Sequence, residues 1–500
     1  MNDTTTLPLR NPRTGQSDGQ LPIVPADAVA ALGQALRAAQ PAWAALDIEA
    51  RCQRLSALAD ALVARRDAMV ELLLADTGRW HESLIEVDGT VSAIRRWAQQ
   101  APACLAEGPA RQEPIPFIQS WQTWEPYTVV GVISPWNFPL MLTLIDAVPA
   151  LAAGCTILAK PSEVTSRFVP LLREILAEAG LADAFAVVTG AGATGQALIE
   201  AVDQVCFTGS VATGRKVAEA CARRFIPASL ELGGKDPALV LSDADVERAA
   251  RALAWGSFVN GGQSCMSIER VYVEAPVADA FIAALVKEAS ALELAWPDPK
   301  QGQIGPIIAA SQVELVRAHL ADARAKGARA LAGGELVEHG GTWCPPTVLV
   351  DVTDEMAVVR EESFATVLPV MVVADEEEAI ARANATEFGL SAAVFSGDRE
   401  RAERVARRLH AGGISIRPGA DGREAELQVL GHGRFAHGQR LDPPLRPRPR
   451  AAGQHRHRLA VVVPAGGVGV VAPVLAVPAA RPRRPHGRGH PCHRGEIPCA

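Results

Sequence analysis

The chain has 500 residues, 48% hydrophobic and 21% charged, which suffices for two or three substructures around sizeable cores. Its formal net charge of -7 provides no basic field for a nucleic-acid backbone, so nucleic acid is excluded as a partner. Residues 1–22 show no apolar segment behind a basic start, and the nine cysteines form no C-x-x-C pair. We therefore expect a cytoplasmic protein whose cysteines are mostly small buried groups.

The N-terminal region, residues 26–103, is predicted to be helical. Its apolar residues recur at intervals of three and four, as in Leu55, Leu58, Leu62, Met69, Leu72 and Leu73. From Gln112 to Val130 the composition changes to prolines, aromatic residues and β-branched residues, which favour extended strands. We expect a hairpin-like excursion there.

Short apolar strands then alternate with helical stretches, which predicts βα units and a parallel sheet. The segments are 155–159, 168–179, 185–188, 205–207 and 215–223. A second α/β run covers residues 238–416, with a helix at 311–326 and strands at 348–352, 367–373 and 392–395. The pattern indicates two α/β domains.

The final segment, Pro418 to Ala500, has a different composition. It contains no Lys, Asn, Ser, Thr, Tyr, Trp or Met and is rich in Pro, Arg, Gly and His, so we expect it to be disordered. Prolines interrupt its apolar stretch Leu459–Ala480, which argues against a membrane span. A cluster of possible metal ligands follows, formed by His486, His490, Cys492 and His493. It lacks the ligand spacing of an ordered site, so we expect no metal there.

A strand-to-helix turn at residues 207–210 is a candidate phosphate site. Its sequence is Phe-Thr-Gly-Ser, and Gly214 follows in the first part of the helix. Such a turn aims free backbone N–H groups at an anion, while Gly209 allows close approach and Ser210 can cap the helix. An ordinary βα turn is the alternative, because the G-x-G-x-x-G fingerprint is absent.

The tetrapeptide Lys160-Pro161-Ser162-Glu163 follows a strand and places a cation and a carboxylate at the carboxyl end of the sheet. Glu163 could accept hydrogen bonds from an adenosine ribose. A carboxylate there would repel a 2′-phosphate, so NAD is preferred, with NADP possible. The alternative is a solvated charged turn.

An apolar strand at residues 131–134 continues into Pro135-Trp136-Asn137-Phe138-Pro139. The amide of Asn137 is a candidate donor to a developing alkoxide, which lowers an acyl-transfer barrier. A loop-capping asparagine is the alternative reading.

Two further motifs could bring an acid and a thiol together: Glu231-Leu232-Gly233-Gly234-Lys235 and Gly262-Gln263-Ser264-Cys265. A nucleophilic cysteine needs a cation, a base or a helix N-terminus to favour the thiolate. Alone, Cys265 could be an inert buried thiol and Glu231 a structural ion-pair partner. Their occurrence together with the other motifs favours catalysis.

With these residues identified, the chain resembles the NAD(P)-dependent aldehyde dehydrogenase superfamily from about Pro8 to Ile416. Six motifs occur in the family's order, namely the four named above around residues 137, 160, 209 and 231, the cysteine motif, and Glu361-Glu362-Ser363-Phe364. The resemblance implies two Rossmann-like parallel-sheet domains. It places the NAD-binding domain at 1–111 and 129–233, a bridging oligomerisation hairpin at 112–128, the catalytic domain at 234–416 and a non-family tail at 417–500.

The resemblance also assigns roles. It makes Cys265 the nucleophile, Glu231 the general base, and Asn137 with the Cys265 N–H the oxyanion hole. The implied cofactor-binding residues are Ser134, Trp136, Lys160, Ser162, Glu163, Gly209, Ser210, Leu232, Glu362 and Phe364. In this scheme Glu362 binds the nicotinamide ribose and Phe364 packs beside the nicotinamide, and a thioester on Cys265 is hydrolysed to a carboxylic acid.

The chain departs from the family in two places. Ala365-Thr366 replaces the usual Gly-Pro after Phe364, which affects how Glu362 is presented. After Ile416 the family ending is replaced by the Arg/Pro-rich tail, and we hypothesise a reading-frame shift near Arg417. A chain without the last bridging strand would leave a sheet edge unpaired, which puts the homodimer or homotetramer expected for the family in question.

The substrate entrance is predicted to be apolar. Phe138, Leu142 and Ile145 share one helical face after Asn137, Met266 adjoins the nucleophile, and no Arg occurs in residues 138–145. This favours aliphatic or aromatic aldehydes over a semialdehyde with a carboxylate. Two alternatives are a catalytically impaired scaffold and a thiol hydrolase or transferase, although no His accompanies the thiol in these motifs.

Overall fold

The computed structural model describes residues 5–108, 111–112, 114–115, 117, 119–120, 123–418 and 428–431. The helices are α1 (Ala26–Ala44), α2 (Ile48–Ala64), α3 (Arg66–Thr77), α4 (Trp80–Cys104), α5 (Pro139–Ala152), α6 (Val169–Glu178), α7 (Gly192–Ala201), α8 (Val211–Arg224), α9 (Val246–Phe258), α10 (Ala275–Ser290), α11 (Ala310–Ala325), α12 (Ala357–Arg360), α13 (Glu376–Asn384) and α14 (Arg399–Ala406). A 3-10 segment, Val259–Gly262, follows α9.

The strands are β1 (Thr6–Arg10), β2 (Ser17–Pro22), β3 (Arg111–Gln112), β4 (Gln119–Ser120), β5 (Val129–Ile133), β6 (Thr156–Lys160), β7 (Phe185–Val187), β8 (Gln204–Thr208), β9 (Ala228–Glu231), β10 (Asp236–Val240), β11 (Ile268–Glu274), β12 (Arg329–Ala332), β13 (Val337–His339), β14 (Gly341–Trp343), β15 (Thr347–Val350), β16 (Val367–Val373), β17 (Ser391–Ser396), β18 (Gly413–Pro418) and β19 (Gln428–Gly431).

The first half of the molecule is built on a five-stranded parallel sheet in the order β7-β6-β5-β8-β9. Strands β5, β6 and β8 are buried at every position, as expected for parallel strands covered on both faces by helices. Four helices precede the sheet. Asp47 caps the start of α2 by accepting from the Ala50 N–H at 2.7 Å, and Gly78 ends α3 with φ 73°.

The second half contains an eight-stranded sheet in the order β12-β15-β16-β11-β10-β17-β18-β19. Its central pairs are parallel, whereas β12 with β15 and β18 with β19 are antiparallel. The α/β fold class and the two parallel sheets predicted from the sequence are therefore confirmed. The carboxyl ends of β5, β6, β8 and β9 carry the motifs at residues 134–139, 160–163, 209–210 and 231–235.

Two predicted boundaries can be compared with the structure. Strands β3 and β4 pair antiparallel within the predicted excursion, but Val129 and Val130 belong to β5 of the parallel sheet. Strand β18 extends through Pro418, and residues 428–431 pair with it as β19. The apolar stretch 459–480 and the His/Cys cluster at 486–493 lie outside the described residues. Within the described part of the chain, no helix is long and apolar enough to cross a membrane.

Candidate active site

Asn137 lies where β5 gives way to α5. Strand β5 ends at Ile133, and Pro139 is the first residue of α5, where a proline costs no hydrogen bond. The Asn137 side chain is buried, and its Nδ2 donates to the Gln263 carbonyl oxygen at 3.0 Å. An amide nitrogen carries two N–H donors, so one donor remains for a further acceptor. The contact brings Asn137 against the loop that carries Cys265.

The loop before Cys265 has an unusual backbone. Asn260, Gly261 and Gly262 adopt positive φ values of 58°, 63° and 70° in succession. A Cβ atom added to Gly262 would lie 2.3 Å from the carbonyl carbon and oxygen of Ala365, so this position requires glycine for close approach as well as for its φ. The turn packs the nucleophile loop directly on the chain that follows Phe364.

Asn260 connects the two sides of the site. Its Nδ2 donates to the Gln263 oxygen at 2.8 Å and to the Asn137 oxygen at 3.3 Å, and its Oδ1 accepts from Arg79. Among residues other than glycine, Asn adopts the left-handed conformation at comparatively low cost, because its short amide side chain can form local hydrogen bonds. Asn260 thereby fixes Asn137 relative to the Cys265 loop.

The thiol of Cys265 lies in a negative environment. The residue is half-buried, but burial of the thiol raises its pKa, and the charges of Glu231, Asp236 and Glu362 raise it further. A hydrogen bond from its own backbone N–H acts in the opposite direction. In this state the protonated thiol is the favoured form, so a nearby positive charge is needed to favour the thiolate.

Two of these carboxylates, Glu231 and Glu362, are themselves shifted toward the neutral form. Burial, with a contribution from Asp146, raises the pKa of Glu231 to about 7. Burial and the charge of Glu269 raise the pKa of Glu362 to about 8. A carboxylate with a pKa near neutrality is suited to accept a proton from water under ordinary conditions.

Lys160 and Glu163 lie together at the end of β6. The buried Lys160 Nζ donates to the Gly190 oxygen at 2.8 Å, the Pro161 oxygen at 2.9 Å and Glu163 Oε2 at 3.2 Å. The Ser162 Oγ accepts from the Val164 N–H at 3.2 Å and so shapes the turn. The Glu163 side chain is 45% exposed, which leaves its carboxylate accessible to the hydroxyls of a bound ribose.

Gly209 and Ser210 form the predicted turn into α8. Gly209 donates its N–H to the Glu231 oxygen at 3.0 Å, and Ser210 Oγ caps the helix by accepting from the Thr213 N–H at 3.3 Å. No acceptor is found among the described residues for the N–H groups of Val211 and Ala212, so they are available to an anion. Leu232 is buried and sits over Gly214, where an added Cβ would lie 2.4 Å from Leu232 Cδ2.

Glu362 and Phe364 reach the site from the second half of the chain. Glu362 Oε1 accepts from the Gly234 N–H at 3.1 Å, and the Phe364 ring meets Trp136 edge-on with centroids 5.3 Å apart. The departure at Ala365-Thr366 is accommodated, since Ala365 is buried and Thr366 Oγ1 donates to the Cys344 oxygen at 2.5 Å. Ser134 lies deeper, with its Oγ 2.7 Å from Thr143 Oγ1.

The predicted substrate residues border the same region. Phe138 is half-buried under the Arg79 guanidinium, which lies 4.5 Å from the ring centroid. Leu142 and Ile145 are half-buried on one face of α5, and Met266 is 47% exposed beside the nucleophile. Asp146 shares this half-buried face, and none of the described residues donates a hydrogen bond or an ion pair to its carboxylate. The predicted substrate entrance therefore combines apolar side chains with one carboxylate, that of Asp146, for which the described residues offer no partner.

Several residues of the site were not predicted from the sequence. Arg79 forms a buried ion pair with Glu86 at 3.0 Å, and Glu86 Oε1 accepts from the Leu140 and Met141 N–H groups at the start of α5. Both charges lie in a region that reads as ordinary amphipathic helix. The Asn-Gly-Gly run at 260–262 is the one local signal that could have indicated the special turn.

The side chains brought together suit a nicotinamide dinucleotide. They lie with open helix N–H groups for a pyrophosphate, an exposed carboxylate for ribose hydroxyls, and an aromatic pair whose chain neighbours contact the Cys265 loop. Within the described ranges, no group of three or more His, Cys, Asp or Glu residues could hold a metal ion.

Comparison with known proteins gives concordant matches. The family model described as "Aldehyde dehydrogenase family" matches residues 1–441, a range that extends past Ile416. A Mycolicibacterium smegmatis protein, provisionally named succinate-semialdehyde dehydrogenase [NADP(+)], is 39% identical over 82% of this chain and 80% of its own length. Betaine aldehyde dehydrogenase of Cereibacter sphaeroides is 40% identical over 81% of this chain and 84% of its own.

Among solved structures, NAD-dependent aldehyde dehydrogenase from Sinorhizobium meliloti superposes with a TM-score of 0.79 at 35% sequence identity. The match covers 86% of this chain and 87% of that chain. The range matched by the family model includes both sheets and all six motifs.

Proposed function

Because the chain belongs to the aldehyde dehydrogenase family, we propose that it oxidises an aldehyde to a carboxylic acid with NAD(P)+, using Cys265 as the nucleophile and Glu231 as the base. The observation that carries this proposal is the convergence of Asn137, Glu231 and Glu362 on the Cys265 loop. The half built on the five-stranded sheet would hold the dinucleotide, and the half built on the eight-stranded sheet would supply the thiol.

In the first step the Cys265 thiolate, whose proton has passed to solvent, forms a bond between Sγ and the aldehyde carbon as the carbonyl π bond breaks. The carbonyl oxygen gains the negative charge and is stabilised by the second N–H of Asn137 Nδ2 and by the Cys265 backbone N–H. Bound NAD(P)+ would supply the hydride acceptor, and its positive charge would oppose the negative environment of the thiol. Loss of hydride leaves a thioester on Cys265.

The second step hydrolyses that thioester. Water attacks the acyl carbon while Glu231 takes the proton, and the Cys265 thiolate leaves with release of the carboxylic acid. A general base whose pKa is about 7 is half deprotonated near neutrality, which matches this task. A transfer to coenzyme A would not need the base, so Glu231 favours hydrolysis.

We further propose NAD as the preferred cofactor. The exposed Glu163 carboxylate would repel the 2′-phosphate of NADP, although its ion pair with Lys160 at 3.2 Å weakens that repulsion. Relatives are named for both cofactors, so kcat/KM measured with each cofactor on the purified protein provides the test. A higher value with NADP+ would contradict this preference.

For the substrate, the half-buried face of α5 favours an aldehyde without a carboxylate. Phe138, Leu142 and Met266 provide apolar contact, while Asp146 and Glu231 would repel an anionic tail. The unpaired Asp146 makes a trimethylammonium aldehyde a second candidate, since it would supply the missing positive charge. Comparing hexanal, benzaldehyde, betaine aldehyde and succinate semialdehyde distinguishes these classes, and a clear preference for the last would refute both.

The decisive experiment follows NADH absorbance with this aldehyde panel in the wild type, Cys265→Ala and Cys104→Ala. Cys104 is an exposed cysteine and serves as the matched control. We expect Cys265→Ala to abolish turnover and Cys104→Ala to retain it. Cofactor binding without turnover in the wild type would indicate the impaired scaffold, and ester hydrolysis without aldehyde oxidation would indicate a thiol hydrolase.

A further inference from the structure

The segment that presents Glu362 is held in a costly conformation. Phe364, which follows it closely, has φ 52°, in the left-handed region that bulky side chains rarely adopt. Such a conformation persists when surrounding contacts determine it. The contacts to Ser363 and Phe364 therefore decide how Glu362 is placed.

A buried ion pair lies against this segment and accepts hydrogen bonds from it. Lys235 Nζ lies 2.5 Å from Glu269 Oε2, and both side chains are almost fully buried. Glu269 in turn accepts from the Ser363 N–H at 2.7 Å and from the Phe364 N–H at 2.8 Å. The carboxylate thus spans the two peptide groups that follow Glu362.

His319, on α11, supports the same segment from the side. Its Nδ1 lies 3.1 Å from Ser363 Oγ, which also accepts from Lys235 Nζ at 3.3 Å. Its Nε2 lies 3.5 Å from the exposed carboxylate of Glu361. The His319 side chain is 2% exposed, so its hydrogen bonds are not replaced by bulk water.

One proton arrangement gives Lys235 and the Ser363 hydroxyl an acceptor each. Lys235 can only donate, so it donates to Ser363 Oγ, and the Ser363 hydroxyl proton is then directed to an unprotonated His319 Nδ1. The remaining His319 proton is on Nε2, facing Glu361. Neutral His319 thereby joins Lys235 and Ser363 in one chain of hydrogen bonds, while its Nε2 lies 3.5 Å from Glu361 without a hydrogen-bond partner among the described residues.

We propose that His319 is a positioning residue for cofactor binding: neutral and accepting from Ser363, it fixes the segment that presents Glu362 to the nicotinamide ribose. The proposal rests on the proposed function, because Glu362 has this role only in a dinucleotide-dependent enzyme. Protonation of Nδ1 would remove the acceptor and place a second cation beside Lys235. Cofactor affinity should therefore fall as the solution is acidified.

The charged groups that face His319 set the pH range over which cofactor affinity falls. Burial and the charge of Lys235 lower its pKa from 6.5, whereas Glu361 and Glu269 act in the opposite direction. Asp322, one turn further along α11, also interacts electrostatically with the ring. Since the pKa of His319 is lowered, its contribution to affinity is fully retained at neutral pH and is lost only below 6.5. Glu362, whose pKa is about 8, also titrates between pH 5 and 8, but its titration is common to the wild type and the His319 variants.

The test measures NAD+ binding by calorimetry between pH 5 and 8, without aldehyde, in the wild type and three variants. His319→Phe removes the acceptor at similar volume, and we expect binding about tenfold weaker at pH 7.5. His319→Asn keeps an acceptor near the Nδ1 position and should bind nearly as the wild type does, without the acid loss. His81→Phe, at an exposed histidine of α4, is the matched control and should leave binding unchanged.

Hydrogen exchange of the cofactor-free protein supplies a second readout. The backbone amides of residues 363 and 364 should exchange faster in His319→Phe and in Ser363→Ala. The amides of α11 should stay protected in both variants. If His319→Phe and Ser363→Ala bind NAD+ and exchange these amides as the wild type does, the role of His319 is overturned even if the enzyme oxidises aldehydes. A wild type that binds NAD+ but oxidises no aldehyde would refute the proposed function and leave the His319 test intact, whereas a wild type binding neither NAD+ nor NADP+ would overturn both.

Discussion

Replacement of Asp146 by Asn should shift the pH dependence of thioester hydrolysis. Asp146 lies on the half-buried face of α5, and its charge raises the pKa of Glu231, which burial and this charge together place at about 7. Glu231 must be deprotonated to activate water, so hydrolysis increases as pH rises through that pKa. Removing a like charge lowers the pKa of the remaining carboxylate and moves the acid limb to lower pH.

The size of the effect follows from the deprotonated fraction. Burial raises the pKa of Asp146 itself to about 6, so near pH 6 Asp146 is partly neutral and repels Glu231 less. With a Glu231 pKa of about 7 when Asp146 is charged and about one unit lower when it is neutral, roughly a third of Glu231 is deprotonated at pH 6. A decrease of about one unit, a typical effect of one nearby charge, would raise this fraction to about half. Hydrolysis at pH 6 should then be about 1.5-fold faster, with no change at pH 9, where Glu231 is deprotonated in both proteins. Burial is unaffected by the substitution, so the pKa should stay above its ordinary 4.5.

The assay is the steady-state hydrolysis of p-nitrophenyl acetate, which acylates Cys265 without hydride transfer and so isolates the step that Glu231 serves. Asp279→Asn provides the control, because Asp279 is an exposed acid on α10. An acid limb that stays in place in Asp146→Asn, or that moves equally in Asp279→Asn, would refute the coupling of Asp146 to Glu231.

Two substitutions test the framework of the site. Arg79→Met leaves the buried Glu86 without its partner and should destabilise the protein by about 3–5 kcal/mol in urea unfolding, whereas Arg95→Met, which removes an exposed ion pair, should cost less than about 1 kcal/mol; equal effects would contradict the structural assignment. Gly262→Ala places a Cβ 2.3 Å from the Ala365 carbonyl at φ 70°, so kcat should decrease at least about tenfold as the Cys265 loop shifts. Gly192→Ala, where an added Cβ meets no atom within 4 Å, should leave kcat unchanged, and an unaffected Gly262 variant would show that the close approach is not required.

The sequence alone determined the α/β class, the family and the six motifs, because each motif is a local pattern that follows or precedes an element with a clear period. Strand β16 shows this well, since its predicted limits 367–373 are those observed. The roles of individual residues remain predictions, although the structure brings Asn137, Glu231 and Glu362 to the Cys265 loop.

Tertiary structure decided which charged residues support the site. Arg79 directly before α4, Glu86 on α4, Asp146 on α5 and His319 on α11 occupy positions that look like solvated helix faces in the sequence, yet all contact or border the site. Their partners are 7 to 181 residues away along the chain, as the Glu86 and Asn260 contacts of Arg79 show. A helical period gives the face of a helix but not the element that covers it, so such long-range pairs emerge only when both sheets are packed together.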